Sequence, residues 1–415
     1  MFGMREVAII GVGHTKFGKA GDKTALELFS EAALKAVEDA GIDLREIEAL
    51  FQGAALLGFE EGQVMSAVFS AADLHLGEIP ATRIEGACAS AGLAIREAAM
   101  WVASGAFDVV LAGGVEKALT MGTPFATRTF AMACHAYSEA AAGLTFPGVF
   151  AMAARLYAHR YDIPLEKLRE KMACVSVKNH FHGARNPLAQ FYQKYGDLKV
   201  EDVLRSKMVC DPLTLLDCCP FSDGAAAVVV CAAEKARKFT DTPIYILGTG
   251  QGSGTPLSKM EDMVKPAARV ASARMAFKQA GIEPKDIQVA EVHDCFTIAE
   301  IIALEALGFF GWGKAADATE EGETDIGGRI AVNPSGGLIG KGHPIGATGA
   351  SQVFSLVEQM RGEAPKGNQV EPVPEFGMTD TLGGDSEHSA ILFWAEHGER
   401  SSSVAAERRN GRERK

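Results

Sequence analysis

Two glycine-rich turns, far apart in the sequence, carry the residue types best suited to catalysis. The turn GACASAG at 86–92 places Cys88 just before an apolar, helix-like run, and the turn NPSGGLIGKGHPIGATG at 333–349 places His343 just before another. A cysteine at a helix start gains from the positive end of the helix dipole and from free backbone N–H groups, which lower the pKa of its thiol. We therefore expect Cys88 to be a nucleophile, with His343 as the base that takes its proton.

A third stretch with reactive side chains lies between these turns. The segment EVHDCF at 291–296 follows an apolar, strand-like run. If the strand continues, His293 and Cys295 point to the same side and Asp294 points to the other. Histidine can donate a hydrogen bond to a developing oxyanion, and cysteine can transfer a proton. We therefore expect His293 and Cys295 to join Cys88 and His343 in one site for acyl transfer. We expect Asp294 to be structural.

The three motifs together resemble those of the thiolase superfamily, most closely the sterol-carrier-protein type and its bacterial and archaeal relatives. The resemblance extends over residues 5–395, nearly the whole chain. It implies a CoA-dependent acyltransferase that cleaves a 3-oxoacyl-CoA, or runs the reverse Claisen condensation, through an acyl group on Cys88. It also implies that acyl-CoA and coenzyme A are substrates and that no bound cofactor or metal is needed.

The resemblance assigns a role to each reactive side chain. His293 and His343 would hold the enolate oxygen, and Cys295 would transfer a proton at the adjacent carbon. Other thiolases place that acid–base cysteine in a Cys-x-Gly motif near the C-terminus, but here the turn reads TLGG at 381–384 and no cysteine follows Cys295. Cys295 is thus the replacement expected in the sterol-carrier-protein type.

Backbone and substrate contacts are implied in the same way. The backbone N–H groups of Cys88 and Gly383 would form a second oxyanion hole, which binds the tetrahedral intermediate. Four further residues are expected to contact the substrate: Thr249, Gly250, Ser335 and Gly337.

An internal duplication sets the predicted architecture. The strand and glycine turn at 7–13 recur at 244–250, and Ala-Gly-Ile triplets at 40–42 and 280–282 lie 240 residues apart. Two similar α/β halves packed together form sheets covered by helices. The resemblance implies the thiolase fold, with duplicated halves in five layers, α-β-α-β-α, and the cysteine and histidine turns at equivalent points of a pseudo-two-fold.

One region interrupts the repeat. Residues 120–208 are rich in methionine, aromatic residues, histidine and charge and have no counterpart in the second half, which predicts an inserted, mostly helical loop domain over the site. The predicted divisions are 1–119 with 209–238 for the N-terminal half, 120–208 for the loop domain, 239–397 for the C-terminal half and 398–415 for a polar tail. The tail composition predicts disorder, as a solvated or a partner-binding segment.

Composition narrows the function classes. The 415 residues carry a net charge of −12, from 41 Lys and Arg against 53 Asp and Glu, which disfavours nonspecific nucleic-acid binding. No apolar run is long enough to cross a membrane, and the N-terminus lacks a signal-peptide pattern. Eight cysteines without a compact spacing framework indicate reduced thiols and a cytoplasmic location.

The remaining cysteines and several histidines are expected to have no catalytic role. The adjacent pair 218–219 lacks a second cysteine pair at zinc spacing, so no metal site is predicted. The residues predicted to be structural, or at most exposed, are Cys134, Cys174, Cys210, Cys218, Cys219, Cys231, His135, His180, His182 and His388.

Three alternatives stay open from sequence. Ketoacyl synthases and related condensing enzymes share the fold, although HDCF with GHPIGATG favours a thiolase. Some relatives, such as benzoylsuccinyl-CoA thiolase, work beside a small partner with an OB-fold and a zinc ribbon. A non-catalytic acyl-CoA binder is disfavoured by the intact reactive set. The resemblance also implies a homodimer, with the apolar segment 84–89 at the two-fold interface.

Overall fold

The computed structural model describes residues 4–384 and 387–396; the predicted polar tail lies outside the described residues. Over these ranges, no helix is both long and apolar enough to span a bilayer. The strands are β1 (Val7–His14), β2 (Ala49–Gly53), β3 (Ala81–Ile84), β4 (Val109–Lys117), β5 (Met208–Cys210), β6 (Leu213–Thr214), β7 (Asp223–Ala232), β8 (Ile244–Ser253), β9 (Val289–Glu291), β10 (Ala331–Val332), β11 (Phe376–Gly383) and β12 (Glu387–Ala395). The α-helices are α1 (Ala25–Ala40), α2 (Leu57–Glu60), α3 (Ser66–Asp73), α4 (Ser90–Ser104), α5 (Thr123–Phe130), α6 (Phe146–Arg160), α7 (Leu165–Gly183), α8 (Val200–Arg205), α9 (Ala233–Ala236), α10 (Ala267–Ala280), α11 (Thr297–Ala306), α12 (Ala315–Glu320), α13 (Gly337–Lys341) and α14 (Thr348–Arg361).

Ten of the strands form one mixed sheet, and the strand order is equivalent when the sheet is read inwards from either edge. Their order is β10-β9-β11-β12-β8-β1-β7-β4-β2-β3, so the first five come from the second half of the chain and the last five from the first half. β2 pairs in parallel with β3 and β4, just as β9 pairs in parallel with β10 and β11. The halves meet where β1 and β8 run antiparallel, with Val7 opposite Ile246. This order confirms the predicted duplication.

The central helices α4 and α14 lie between the two half-sheets. Ile95 of α4 and Val353 of α14 share one core with Ile9 of β1 and Phe393 of β12. Helix α1 packs on β1 and β7, and α10 packs on β8 and β12. The described residues therefore form the five predicted layers, with the two half-sheets joined edge to edge.

Local sequence explains where the outer helices begin and end. Thr24 caps α1 in a capping box with Glu27: the backbone N–H of Glu27 donates to the Thr24 hydroxyl at 3.2 Å, and the Thr24 N–H donates back to the Glu27 carboxylate at 2.7 Å. α1 ends at Gly41 and α10 at Gly281, both in the left-handed region with φ of 65° and 66°. The Ala-Gly-Ile triplets at 40–42 and 280–282 therefore mark equivalent helix ends in the two halves.

The glycines of β1 and β8 lie inside the strands, so the predicted glycine turns are wrong. A Cβ on Gly11 or Gly13 would overlap carbonyl oxygens of α1, and one on Gly250 or Gly252 would overlap carbonyl oxygens of α10. Glycine is required because each helix backbone packs directly against its strand. The repeated Gly-x-Gly therefore marks two equivalent helix–strand contacts.

The segment between β4 and β7 contains α5–α8 and the β5–β6 hairpin. Its longest helix, α7, packs on α13, where a Cβ on Gly340 would overlap the carbonyl oxygen of Asn179. Helix α6 packs on α11, which follows the HDCF stretch. The inserted segment therefore contacts both of the second-half motifs, while its bounds as a separate domain stay a prediction.

Candidate active site

The two glycine-rich turns meet because the central helices touch at their first turns. A Cβ on Gly349 would overlap the backbone nitrogen of Gly92, so α14 and α4 approach backbone to backbone. Only glycine permits so close a crossing. Cys88 and His343 precede these glycines by a few residues and are brought to one point.

Three reactive atoms are grouped at that point. Sγ of Cys88 and one ring nitrogen each of His293 and His343 all lie within 4.8 Å of one another. The two imidazole rings are 5.2 Å apart between centroids and nearly perpendicular, at 83°. Such a thiol and two imidazoles would also suit a soft metal ion, and the absence of a metal stays a prediction.

The cysteine turn is short and strained. Cys88 lies in a single 3-10 turn, Ala87–Ala89, that leads directly into α4. The Ser90 hydroxyl accepts a hydrogen bond from the Gly86 N–H at 3.0 Å and donates to the Ala87 carbonyl at 2.6 Å. Ala87 adopts φ of 47°, a left-handed conformation that costs an alanine about 1 kcal/mol. This turn fixes where the sulfur points.

The structure reverses the predicted pKa shift of Cys88. The pKa of the thiol is raised to about 12, chiefly by burial and to a smaller extent by the Glu116 carboxylate, against the lowering effect of a hydrogen bond from the Gly384 N–H. The prediction of a lowered pKa was wrong because loss of hydration outweighs the helix start and the amide donor. Cys88 is therefore a neutral thiol in the resting protein.

His343 is held as a neutral base with a defined tautomer. The Thr348 hydroxyl donates to the Pro344 carbonyl at 3.1 Å, so its oxygen accepts from Nδ1–H of His343 at 2.7 Å. Nε2 is then left unprotonated and able to take a proton. The His343 N–H donates to the Ser222 hydroxyl at 2.8 Å, and burial lowers the pKa of the imidazole to about 3.

The HDCF stretch does not continue the strand, contrary to the sequence-based expectation. β9 ends at Glu291, and α11 begins at Thr297. Burial, followed by the nearby His343, Arg269 and His388, lowers the pKa of His293 well below its usual value, and its Nδ1 has no hydrogen-bond partner among the described residues. The imidazole is therefore neutral.

Cys295 is buried and lies within electrostatic reach of Cys88. Burial raises the pKa of its thiol well above the usual value, and the Cys88 sulfur is the next largest cause. The thiol is therefore protonated before reaction. Of the four residues selected from sequence, Cys88, His293 and His343 are grouped, and Cys295 lies near enough to Cys88 for the two thiols to interact electrostatically.

Asp294 anchors the HDCF stretch to the glycine-rich turn that carries His343, in line with the structural role predicted for Asp294. Its carboxylate accepts the N–H groups of Leu338 at 2.6 Å and Ile339 at 3.3 Å, and the Asn179 side-chain amide at 2.7 Å. It therefore ties HDCF to α13 and to the inserted helix α7. Burial raises the pKa of the Asp294 carboxyl to about 7, with Glu300 adding to the shift.

The four predicted substrate contacts all have packing roles. Gly337 makes room for the Asp294 carboxylate, which a Cβ would overlap. The Ser335 hydroxyl donates to Glu291 at 2.7 Å. Thr249 and Gly250 lie within β8, with Gly250 against α10. Direct contact of these residues with substrate stays a prediction.

The C-terminal glycine turn lies against the cysteine turn. A Cβ on Gly383 would overlap the Gly86 carbonyl oxygen, so the end of β11 packs directly on the segment before Cys88. The N–H that bonds the sulfur belongs to Gly384, one residue after the predicted donor Gly383. The backbone N–H groups of Gly383 and Gly384 are therefore both candidates for the second donor of the oxyanion hole.

Two residues near the site were not selected from sequence. The Cys219 N–H donates to the Cys295 carbonyl at 3.0 Å, and the pKa of the Cys219 thiol is raised well above its usual value by burial and then by Cys295. The Glu116 carboxylate accepts N–H groups from the loop after β2 and from Gly346 at 3.0 Å. The adjacent cysteines 218 and 219 were a sequence signal for Cys219. Glu116, a single glutamate near the end of β4, had no such signal.

Family models match both halves of the chain. The model described as "Thiolase, N-terminal domain" matches residues 7–234, and the model described as "Thiolase C-terminal domain-like" matches residues 250–394. The four reactive residues are divided between these matches, with Cys88 in the first and the other three in the second.

Three similar proteins cover nearly the whole chain. The acetyl-CoA acetyltransferase of Methanothermobacter thermautotrophicus is 46% identical over 393 residues, which cover 94% of this chain and all of that protein. The benzoylsuccinyl-CoA thiolase subunit BbsB of Thauera aromatica is 35% identical over 402 residues, covering 94% and 99%. The solved structure of the Ltp2-ChsH2(DUF35) aldolase superposes with a TM-score of 0.80 at 28% identity, covering 95% of this chain and 99% of that chain.

Proposed function

Because this chain belongs to the thiolase family, we propose that Cys88, His293, Cys295 and His343 are its catalytic residues. The chain is an acyltransferase of the thiolase type, for which coenzyme A is a substrate and no bound cofactor is required. The grouping of the Cys88 sulfur with two imidazole nitrogens, within 4.8 Å, is the observation that supports this assignment most strongly.

The first step of cleavage is attack by Cys88. Its sulfur bonds to the C3 carbonyl carbon of the 3-oxoacyl-CoA while Nε2 of His343 takes the thiol proton. A neutral thiol beside a neutral imidazole suits this step, because charge develops only as the carbon–sulfur bond forms. The backbone N–H of Cys88 and that of Gly383 or Gly384 stabilise the oxyanion.

The second step breaks the bond between C2 and C3. The acyl group stays on Cys88, and the electron pair passes into the leaving thioester as an enolate. His293 and the protonated His343 hold the enolate oxygen. The Cys295 thiol gives its proton to C2, so that the shortened acyl-CoA leaves and Cys295 remains as a thiolate.

The third step returns the enzyme to its starting state. The Cys295 thiolate takes the proton of the incoming coenzyme A thiol, whose sulfur attacks the acyl carbon on Cys88. The Cys88 sulfur departs and recovers its proton from His343. Run in reverse, the same transfers form a carbon–carbon bond between two thioesters.

Trapping the intermediate tests this assignment. Acetoacetyl-CoA, quenched by acid and analysed by peptide mass spectrometry, should leave an acetyl group on the peptide that contains Cys88. Cys88→Ala should lose both the adduct and the activity, whereas Cys231→Ala, on β7, serves as the matched control. An adduct on another cysteine would contradict the assignment.

Discharge of the trapped group separates the two enzyme classes that share this fold. We expect free coenzyme A to release the acetyl group from Cys88. Release by a carrier-bound malonyl thioester, with none by coenzyme A, would instead indicate a ketoacyl-synthase-like condensing enzyme.

The edge of the sheet supports association with a second copy of the chain. β3 ends the sheet order, and Arg83 on it donates to the Val64 carbonyl at 2.9 Å, which joins β3 to the segment before α3. Large apolar side chains are exposed around this segment, including Phe59, Met65 and Phe69. Such edges and apolar patches mark association sites. Light scattering should give a dimer, weakened by Phe69→Glu; a monomeric wild type would contradict this proposal.

A small partner subunit is the second candidate. One relative is named as a subunit, and a structural relative is named together with ChsH2(DUF35). The expected partner is the small OB-fold and zinc-ribbon protein. Co-expression with a short neighbouring Cys-x-x-Cys reading frame should give a co-eluting complex of higher activity. Full activity of the chain alone, unchanged by that protein, would count against a required subunit.

A further inference from the structure

A small, mostly apolar cavity lies where α6 of the inserted segment covers α11 and β12. It encloses about 50 Å³, and its wall includes Phe150, Met263, Ile302 and Leu382. Two polar residues interrupt this apolar wall, Arg269 and His388.

The wall of the cavity contacts residues that neighbour the reactive set. Phe150 stacks on Phe296, the residue after Cys295, with ring centroids 4.7 Å apart. Leu382 immediately precedes the glycine turn that packs on the Cys88 segment. His388 is also close enough to His293 to contribute electrostatically to the lowered pKa of His293. An acyl chain bound to the Cys88 sulfur therefore has this cavity beside it.

His388 is an unusual residue to find in such a wall. Its side chain is only 2% exposed, and among the described residues neither ring nitrogen has a hydrogen-bond partner. Nδ1 is closed off from water, so Nε2 is the nitrogen left for a ligand in the cavity. A buried polar atom left without a partner costs about 1–3 kcal/mol. An apolar side chain at this position of β12 would avoid that cost, so a ligand that supplies the missing hydrogen bond explains the histidine.

The charges around the cavity favour an uncharged ligand group. Arg269 is paired with Asp380 through two hydrogen bonds, one of them 3.0 Å from Nε, so its positive charge is compensated. Burial and the Arg269 charge lower the pKa of His388 well below its usual value, which keeps the imidazole neutral. Among the described residues of this wall, a carboxylate would find no unpaired positive charge, whereas a hydroxyl can donate to or accept from either tautomer of imidazole.

Resting on the thiolase function above, we propose that the acyl substrate is short and carries a hydroxyl group, which His388 binds in this cavity. The volume supports a short chain, because pockets for drug-sized ligands enclose roughly 300–1,000 Å³. A site built to bond a hydroxyl discriminates against analogues that lack it, since its polar atom is then left unpaired.

The test compares three six-carbon 3-oxoacyl-CoA substrates: 3-oxohexanoyl-CoA, 5-hydroxy-3-oxohexanoyl-CoA and 3-oxoadipyl-CoA. For the wild type, we expect kcat/KM for the hydroxylated substrate to exceed each of the others by at least about tenfold. His388→Phe should bring the ratio of hydroxylated to unsubstituted substrate close to one. His388→Asn, whose amide keeps a hydrogen-bonding group in the cavity wall, should retain part of the preference.

The outcomes separate this inference from the thiolase assignment. His159→Asn, an exposed histidine of α6, is the matched control and should keep the wild-type ratio. Equal rates for the hydroxylated and unsubstituted substrates, a preference for the carboxylate, or a preference that survives in His388→Phe would overturn the role of His388. If His388→Phe does not fold, the wild-type ratio and the Asn variant decide. Failure to cleave any of the three would contradict the thiolase assignment itself.

Discussion

The two duplicated halves supply equivalent frameworks but unequal chemistry. At matching places before α4 and α14, the first half presents Cys88 and the second presents His343. After β9 the second half adds His293 and Cys295, whereas the loop after β2 in the first half is held through backbone N–H groups by Glu116. One half therefore supplies the nucleophile and the other supplies the proton-transfer groups.

The difference extends to how each turn is held. The cysteine turn is fixed locally, by the Ser90 hydroxyl and a strained alanine. The histidine loop is fixed by side chains from three distant segments, through Ser222, Glu116 and Asp294. The cysteine turn thus has its own internal hydrogen bonds, to which backbone packing from β11 and α14 is added, whereas the loop that carries His343 is held by side chains from other segments.

The largest effect should follow from removing the proton donor of the second half. Cys295→Ala should lower the cleavage rate by about 10³-fold, because no side chain protonates the enolate carbon. Exchange of an acetyl group between acetyl-CoA and labelled coenzyme A transfers no proton at that carbon. It needs Cys295 only for the proton of the coenzyme A thiol, which water can also take, so it should be less affected than cleavage. Cleavage near the wild-type rate would remove Cys295 from the mechanism, and Cys231→Ala is again the control.

The next effect should come from separating the two central helices. Gly349→Ala would force a Cβ against the Gly92 backbone and should cost about 1–3 kcal/mol in the free energy of unfolding, with a fall in kcat. Gly311→Ala is the matched control, because its Cβ would meet only Lys314 Cγ at an ordinary 3.8 Å. Urea unfolding and steady-state rates measure both changes. Equal stability of the two variants would show that the helix crossing tolerates a methyl group.

A smaller kinetic effect is expected from loosening the tautomer of His343. Thr348→Val removes the acceptor for Nδ1–H and should lower kcat/KM by about tenfold, as losses of orienting partners do. Thr348→Ser keeps the hydroxyl and should restore most of the activity. Nitrogen chemical shifts of the His343 ring should show Nδ1 protonated in the wild type and a tautomer mixture in the valine variant. An unchanged ring spectrum would contradict the tautomer argument.

The last effect concerns stability at low pH and not the rate of catalysis. The pKa of His343 is about 3 in the folded protein and 6.5 in a free chain, so the unfolded state binds more protons between these values. Stability should therefore fall as pH drops below about 6.5, by up to about 1.4 kcal/mol per pH unit for this histidine. His343→Gln should show a shallower fall in urea-unfolding free energy between about pH 6 and about pH 4.5. An identical slope would place the titration elsewhere.

Sequence predicted the features that depend on neighbouring residues. The recurring strands β1 and β8 and the Ala-Gly-Ile triplets, which the structure places at the ends of α1 and α10, are each encoded within a few residues. The four reactive residues were also recognisable, because each lies in a short motif: GACASAG, HDCF or GHPIGATG. The resemblance to thiolases came from those same residues and was confirmed by the family models.

Features that depend on tertiary burial were beyond the reach of sequence. The pKa of Cys88 is set by loss of hydration inside the assembled site, not by the helix that follows it. β9 ends at Glu291, and three residues later the Asp294 carboxylate accepts a hydrogen bond from the N–H of Leu338 in α13. This contact joins segments 44 residues apart, so the local sequence does not show it. His388 was given no role because its isolation from hydrogen-bond partners emerges only in the folded chain.

The central claim is that two thiols and two imidazoles from both halves act on one substrate. A crystal structure of the acetylated protein soaked with acetyl-CoA tests it most directly. We expect an acetyl group on Cys88, with the Cys295 sulfur within about 4 Å of the methyl carbon of the second acetyl-CoA. The imidazole of His293 should donate a hydrogen bond to the thioester oxygen of that acetyl-CoA. An acetyl group on Cys88 with Cys295 or His293 turned away from the bound thioester would contradict it.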